Sequence, residues 1–250
     1  MNTKKRIAWI VKILFWLMII AFFTWTIIND MFRPIFEDFG EFSHLLGQHI
    51  TIVLISGFLA ILVSIPLGVF VTRERFRKSE SWIVNIANLG QTIPSLAVLA
   101  LAMGFLGIGM KAAIVALFIY SLLPILQNTI AGIRSVDHNT IDAARGIGLT
   151  PFQVLMKIEL PNAASSIIAG IRTALVINIG TAALAYLIGG GGLGAWIFTG
   201  VRLFDNGFLI SGAVPVTLLA LLVDYFFRIM QQVLEPKGLR LAKNNNLEEK

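Results

Sequence analysis

Long apolar runs separated by short polar patches set the pattern of this chain. Six runs approach the ~20 residues that a helix needs to cross about 30 Å of hydrocarbon, near 9–28, 48–71, 85–107, 111–133, 166–188 and 208–230. They predict an all-α, polytopic membrane protein with about six transmembrane helices. The third run is the least regular, because Asn85, Asn88 and Gln91 occupy its first half. That half is expected to lie in the membrane interface or to face another helix, with Pro94 marking a bend.

The connections are uneven. Segment 29–47 is acidic (Asp30, Glu37, Asp38, Glu41) and reads as an outer spacer. Ile108-Gly109-Met110 is short enough to make runs three and four an antiparallel hairpin. Segment 134–165 is the one internal loop long enough to hold helices of its own. The organisation expected is an anchor and spacer over 1–43, a core over 44–230, and a tail over 231–250 that turns polar from Ala242 and is expected to be disordered.

Composition supports lipid as the solvent: 56% of the 250 residues are hydrophobic and 14% charged, against about 25% charged in soluble domains. With no cysteine, disulfides and thiolate metal sites are excluded. The net charge of +6 is informative through its placement. Most of the 20 basic residues flank the runs on one side: Lys4, Lys5, Arg6 and Lys12; Arg73, Arg75, Arg77 and Lys78; Arg134, Arg145 and Lys157; Arg228, Lys237, Arg240, Lys243 and Lys250. Arg33, Lys111 and Arg202 fall on the other side, and Arg172 within the fifth run. Both termini are therefore expected in the cytoplasm, and the charge reports topology rather than nucleic-acid binding. The first run is longer than a signal-peptide core and no small-x-small site follows it, so a retained anchor is expected.

Segment 134–165 reads as two short helices. Asp137 or Asn139 caps the first, which Gly146 and Gly148 break. Thr150-Pro151-Phe152-Gln153 opens the second with a capping box and a proline at the first helical position, and Leu160-Pro161 is expected to stop it. Phe152, Leu155 and Met156 offer apolar surface that a partner could cover. An amphipathic helix resting on the headgroups is the competing reading.

Asp142-Ala143-Ala144, then Gly148, Ile158 and Leu160-Pro161 at fixed spacing, resembles the signature loop of permeases in binding-protein-dependent ABC importers. Those permeases usually carry Glu where this chain has Asp142, which shortens the reach of that carboxylate. The resemblance runs from about His44 to Arg228. Gln91-Thr92-Ile93-Pro94-Ser95-Leu96-Ala97, Leu122 to Thr129, and Gly189 to Phe198 are similar to the branch that imports quaternary amines such as glycine betaine, carnitine and choline. Methionine importers share the loop and the glycine-rich stretch but are less similar through runs three and four. The resemblance implies a five-span core with one added N-terminal span, in the bacterial cytoplasmic membrane. It also implies partners: ABC ATPase subunits on the signature loop, an extracytoplasmic solute-binding protein at the outer face, and a second permease copy, identical or homologous.

The chain contains no Walker-type phosphate loop, so no cofactor is expected in it and ATP would be held by the separate subunit. Gly191, Gly192 and Gly194, with Trp196 and Phe198, are expected either to form a flexible break ending the fifth run or to act as an outer gate and binding-protein contact. His44, His49 and His138 have no partners at ligand spacing and are expected to be solvated or interfacial. Asp224 and Arg228 share a helix face and can pair, while Arg172 is expected to anchor to headgroups or to the signature loop. Gln91, Ser95, Tyr120, Asn128, Asn178 and Thr181 are polar candidates for the substrate path, with hydrogen bonding between helices as the alternative. No nucleophile–base set indicates an enzyme, and no inverted repeat indicates a secondary transporter or channel.

Overall fold

A computed structural model describes residues 3–234. Lys237, Arg240, Lys243, Lys250 and the polar tail lie outside the described residues. Within them the chain is helical: α1 (Thr3–Ile28), α2 (Arg33–Glu37), α3 (Phe39–Thr72), α4 (Glu80–Thr92), α5 (Ser95–Leu106), α6 (Met110–Arg134), α7 (His138–Gly146), α8 (Pro151–Val154), α9 (Leu160–Ala182), α10 (Gly194–Leu203) and α11 (Asn206–Leu234). Five helices are long and apolar enough to cross a membrane, and a sixth crossing exists if the bent pair around Pro94 counts as one.

The core is the crossing of α3, α6 and α9, where Ile52, Leu117, Ile125 and Ile179 are fully buried. Lipid removes the hydrophobic drive for helices to associate, so close approach must come from small residues and hydrogen bonds. Both are present. A Cβ added at Gly170 of α9 would sit 2.7 Å from the carbonyl oxygen of Pro124 in α6, and one at Gly132 would sit 2.8 Å from the Cβ of Ser166. Ser64 donates to the Leu122 carbonyl (3.1 Å) and Ser166 to that of Asn128 (2.9 Å). α1 stands apart, with 6% of its apolar window buried within the chain.

Four expectations change. Segment 29–47 is not a mere spacer. Asp38 Oδ1 accepts from the Glu41 N–H at 2.8 Å and starts α3 at Phe39, well before residue 48. The preceding turn is tied to α11 by Ser211 Oγ, which donates to the Met31 carbonyl at 3.0 Å.

The third run is broken rather than merely bent: the helical segments 74–92 and 95–106 meet at 100°. Ile93, forced out of the α region by the following proline, is extended at φ −76° and ψ 133°.

Leu160-Pro161 does not end the second loop helix. Residues Leu155–Glu159 form one π turn in which the Leu160 N–H reaches the Leu155 carbonyl, and the chain continues directly into α9. Pro161 stands in the first turn of α9, directly after that π turn. Finally, Gly194 begins a tenth helix, which packs against α11 where a flexible break was one expectation.

Candidate functional site

At one end of the bundle the segment 134–165 folds back on itself. Asp137 Oδ1 accepts from the Asn139 N–H at 3.2 Å and caps α7. Gly148 then takes a left-handed φ of +87°, a conformation that favours glycine. The capping box closes α8: Gln153 N–H donates to Thr150 Oγ1 (3.3 Å), and Thr150 N–H donates to Gln153 Oε1 (2.9 Å). Val136, Ile141, Ala144 and Val154 form a small core beneath, with Ile158 packed against it.

That core decides which signature residues face outward. Asp142, Ala143, Gly148 and Pro161 are exposed, Ala144 is buried, and Ile158 and Leu160 are half-buried. Phe152 and Met156 are exposed as expected, at 69% and 50%, whereas Leu155 is half-buried. Ile147, unremarked in the sequence, is 80% exposed and stands beside Gly148 at the tip. Its one signal was an aliphatic residue inside a glycine break.

Two ion pairs brace this end. Arg134 grips Glu80 through both guanidinium nitrogens, tying α6 to α4. Arg73, at the end of α3, meets Glu159 at 2.5 Å. Neither pair was legible in sequence, because the partners are 54 and 86 positions apart. The Asp224–Arg228 pair forms at 2.9 Å as expected, and Asp224 also takes Arg172 at 3.3 Å. Arg172 therefore staples α9 to α11 instead of reaching headgroups or the loop.

The opposite end is organised around the glycine-rich stretch. Gly189, Gly191 and Gly192 all have positive φ. Gln48 accepts from the Gly192 N–H at 2.9 Å through Oε1, while its amide nitrogen donates to His44 Nε2 at 3.0 Å. Gly109 N–H donates to the Ile188 carbonyl at 2.9 Å, fastening the α5–α6 link to the same stretch. His49 is fully buried, correcting its solvated placement; its Nε2–H donates to the Ile179 carbonyl at 3.0 Å. Trp196 is 2% exposed, packed between Phe42 and Phe208, and so offers no surface to a binding protein. Phe198 is half-buried and stacks on Tyr186. Gly192 and Gly194 are buried as well, leaving Gly191 half-buried. The stretch is clamped, and its expected outer contacts are mostly interior packing.

The polar candidates for a path divide. Pro124 has no N–H, so the carbonyl of Tyr120, four residues earlier, loses its helical donor; Gln91 Nε2 supplies one at 2.8 Å. Tyr120 in turn donates its hydroxyl to the Ile93 carbonyl at the broken corner. Asn178 is fully buried where α3, α6 and α9 cross and donates to Ser56 Oγ (3.1 Å) and Ser121 Oγ (2.6 Å). Hydrogen bonding between helices thus describes Gln91, Tyr120 and Asn178. Asn128 bonds back to the Pro124 carbonyl and Thr181 to that of Ile177. Asn128, Thr181 and Ser95 are half-buried. Replacing Gln91 by Leu is expected to orphan the Tyr120 carbonyl and cost about 1–3 kcal/mol. Thermal unfolding of the detergent-solubilised chain measures this, and an unshifted midpoint would refute the assignment.

Residues 64–239 match the family described as the binding-protein-dependent transport system inner membrane component. The chain belongs to that family. The permease is 48% identical over 204 residues to the choline transport system permease protein OpuBB of Bacillus subtilis (strain 168), covering 82% of this chain and 93% of that one. It is 44% identical over 215 residues to the glycine betaine/carnitine/choline transport system permease protein OpuCB of the same organism, covering 86% and 98%. Among solved structures the permease is similar to a chain of the MetNI methionine ABC transporter in an inward-facing conformation. The TM-score is 0.70 at 22% identity, with 78% of this chain and 97% of that chain covered. At that identity the likeness concerns the fold alone.

Proposed function

We propose that this permease forms the membrane path of an ATP-driven importer for quaternary-amine osmolytes of the glycine betaine, carnitine and choline type. The observation carrying the cargo assignment is the 48% and 44% identity, over more than four-fifths of the chain, to proteins named for those solutes. In this reading the exposed tip formed by Asp142, Ile147, Gly148 and Phe152 docks an ABC ATPase. A solute-binding protein delivers cargo at the end that carries the clamped glycines. A second permease, identical or homologous, completes the path in the bacterial cytoplasmic membrane. Both termini lie in the cytoplasm, in keeping with the basic residues Arg73, Arg75, Arg77 and Lys78 at the loop end.

A quaternary ammonium has no N–H to donate, so aromatic faces and weak polar contacts are its natural partners. The fine selection then belongs to the binding protein, and the permease works by alternating access as ATP closes the ATPase pair. Proteoliposomes holding the permease with its ATPase and binding protein test the assignment. ATP-dependent uptake of labelled choline, competed by glycine betaine and carnitine but not by methionine, is the expected result. Competition by methionine alone would overturn the cargo, and uptake by the permease without ATPase would overturn the mechanism.

A further inference from the structure

The docking loop is joined to the bundle through the backbone at both ends, from α6 into α7 and through α8 and the π turn Leu155–Glu159 into α9. A side-chain link is added by the pair between Arg73 Nη2 and Glu159 Oε2, 2.5 Å apart. The Glu159 side chain is 8% exposed and that of Arg73 34%, so a buried carboxylate is answered by a half-buried cation. Arg73 is fixed: its Nε donates to the Val69 carbonyl (3.2 Å) and its Nη2 to Thr72 Oγ1 (3.0 Å) as α3 ends. A guanidinium seated on the last turn of α3 thus holds a carboxylate on the π turn.

The position of α3 gives this contact its consequence. α3 is one continuous helix of 34 residues, about 50 Å long at 1.5 Å per residue. Its loop end carries Arg73, and about 36 Å along it, in its first third, Gln48 and His49 hold Gly192 and the Ile179 carbonyl. Movement of the docking loop acts on α9 directly through the backbone. It reaches α3 through the chain only by way of α6, α5 and α4. A cleft of about 530 Å³ at this end is lined by Arg73, Arg77, Arg134, Ile141 and Glu159. Buried ion pairs add little net stability, because desolvation offsets their attraction, and register or switching is their best-attested use. π turns inside helices are likewise frequent at functional positions.

We propose that Arg73 and Glu159 are positioning residues that transmit movement of the docking loop to α3, and along α3 to the clamped glycine stretch at the far end. The proposal rests on the reading of 134–165 as the ATPase-docking loop. Its test compares Glu159→Gln, the exchanged pair Arg73→Glu with Glu159→Arg, and the apolar pair Arg73→Met with Glu159→Leu, each reconstituted with ATPase and binding protein. The quantities read are co-purified ATPase, thermal midpoint of the complex, and labelled choline imported per ATP hydrolysed. Glu159→Gln and the apolar pair are expected to keep the ATPase and hydrolyse ATP while choline per ATP falls about tenfold, and the exchanged pair is expected to recover about half. If the exchanged pair does not fold, the apolar pair decides, since apolar replacement of a buried ion pair is commonly neutral or stabilising. An unchanged ratio in the apolar pair, or a lower midpoint with an unchanged ratio, reduces the contact to packing and overturns the proposal. Asp142→Lys separates the underlying reading: a complex that keeps its ATPase and its uptake with that substitution removes the docking assignment, whatever the Arg73 and Glu159 variants do.

Discussion

Asp142→Lys is expected to abolish ATP-driven uptake while the permease still inserts and folds. The Asp142 side chain is 73% exposed, and its nearest cation, Arg145, is 3.7 Å away and itself exposed. Among the described residues that exposed pair is its one ion-pair contact, so on the proposed docking role its reversal acts chiefly on the partner. Reversing a charge that a partner pairs costs about 3 kcal/mol at an interface, or roughly a hundredfold in affinity.

Gly148→Trp is expected to give the same result for a different reason. Space around Gly148 is open: beyond its immediate chain neighbours, none of the described residues comes within 4 Å of an added Cβ. The strain of its left-handed φ costs only about 1–2 kcal/mol. A bulky ring there would instead block the approach of a partner to the Ile147 and Phe152 surface. Co-purification of the ATPase with each variant, beside uptake, measures both effects. Full uptake with a normal ATPase complement in both variants would remove the docking role of the loop.

Gly170→Leu is expected to leave no folded permease. Here the obstruction is backbone: an added Cβ would lie 2.7 Å from the Pro124 carbonyl oxygen, 2.7 Å from the Asn128 Cβ and 3.2 Å from the Ile125 Cα. Rotamer changes cannot relieve a backbone clash, so α6 and α9 must separate. Overpacking alone costs about 1–3 kcal/mol, and more when backbones must shift. Separation would also pull Asn178 away from Ser121, leaving a buried amide unanswered. The internal control is Gly104→Ala in α5, where, apart from the helix's own nearby backbone, none of the described residues comes within 4 Å of the new Cβ. That change should stabilise by up to about 1 kcal/mol through helix propensity. Size-exclusion profiles after graded heating distinguish the two. Equal stability of Gly170→Leu and the parent would mean that α6 and α9 do not meet at this point.

Much of the loop was legible because its determinants are local. Asp137, the Thr150–Gln153 capping box and the glycine at 148 each act within four residues, and all three take their expected forms. The corner at Pro94 was legible for the same reason. The π turn before Pro161 was not, since one extra residue per turn leaves no mark in residue type. The glycine-rich end misled in a particular way. Gly-Gly-Gly-Gly-Leu-Gly suggests freedom, and three of those glycines do take positive φ while a fourth opens a helix, yet Gln48 and Gly109 hold the stretch from other parts of the chain. Trp196 beside it carried no signal distinguishing a buried ring from a docking one.

By itself, then, the sequence determined that about six apolar runs are long enough to cross a bilayer, that the third turns at Pro94, and which loop carries the signature pattern. Hydrophobic length, proline and capping chemistry act over one or two turns, and a linear reading captures them. Tertiary structure alone decided which polar residues are consumed in holding the helices together. Gln91 answers a carbonyl freed by Pro124, Asn178 joins two serines, and Arg73 finds Glu159, all across separations that only folding closes. In lipid a buried polar group must find a partner within the protein, and which partner it finds depends on how the helices cross.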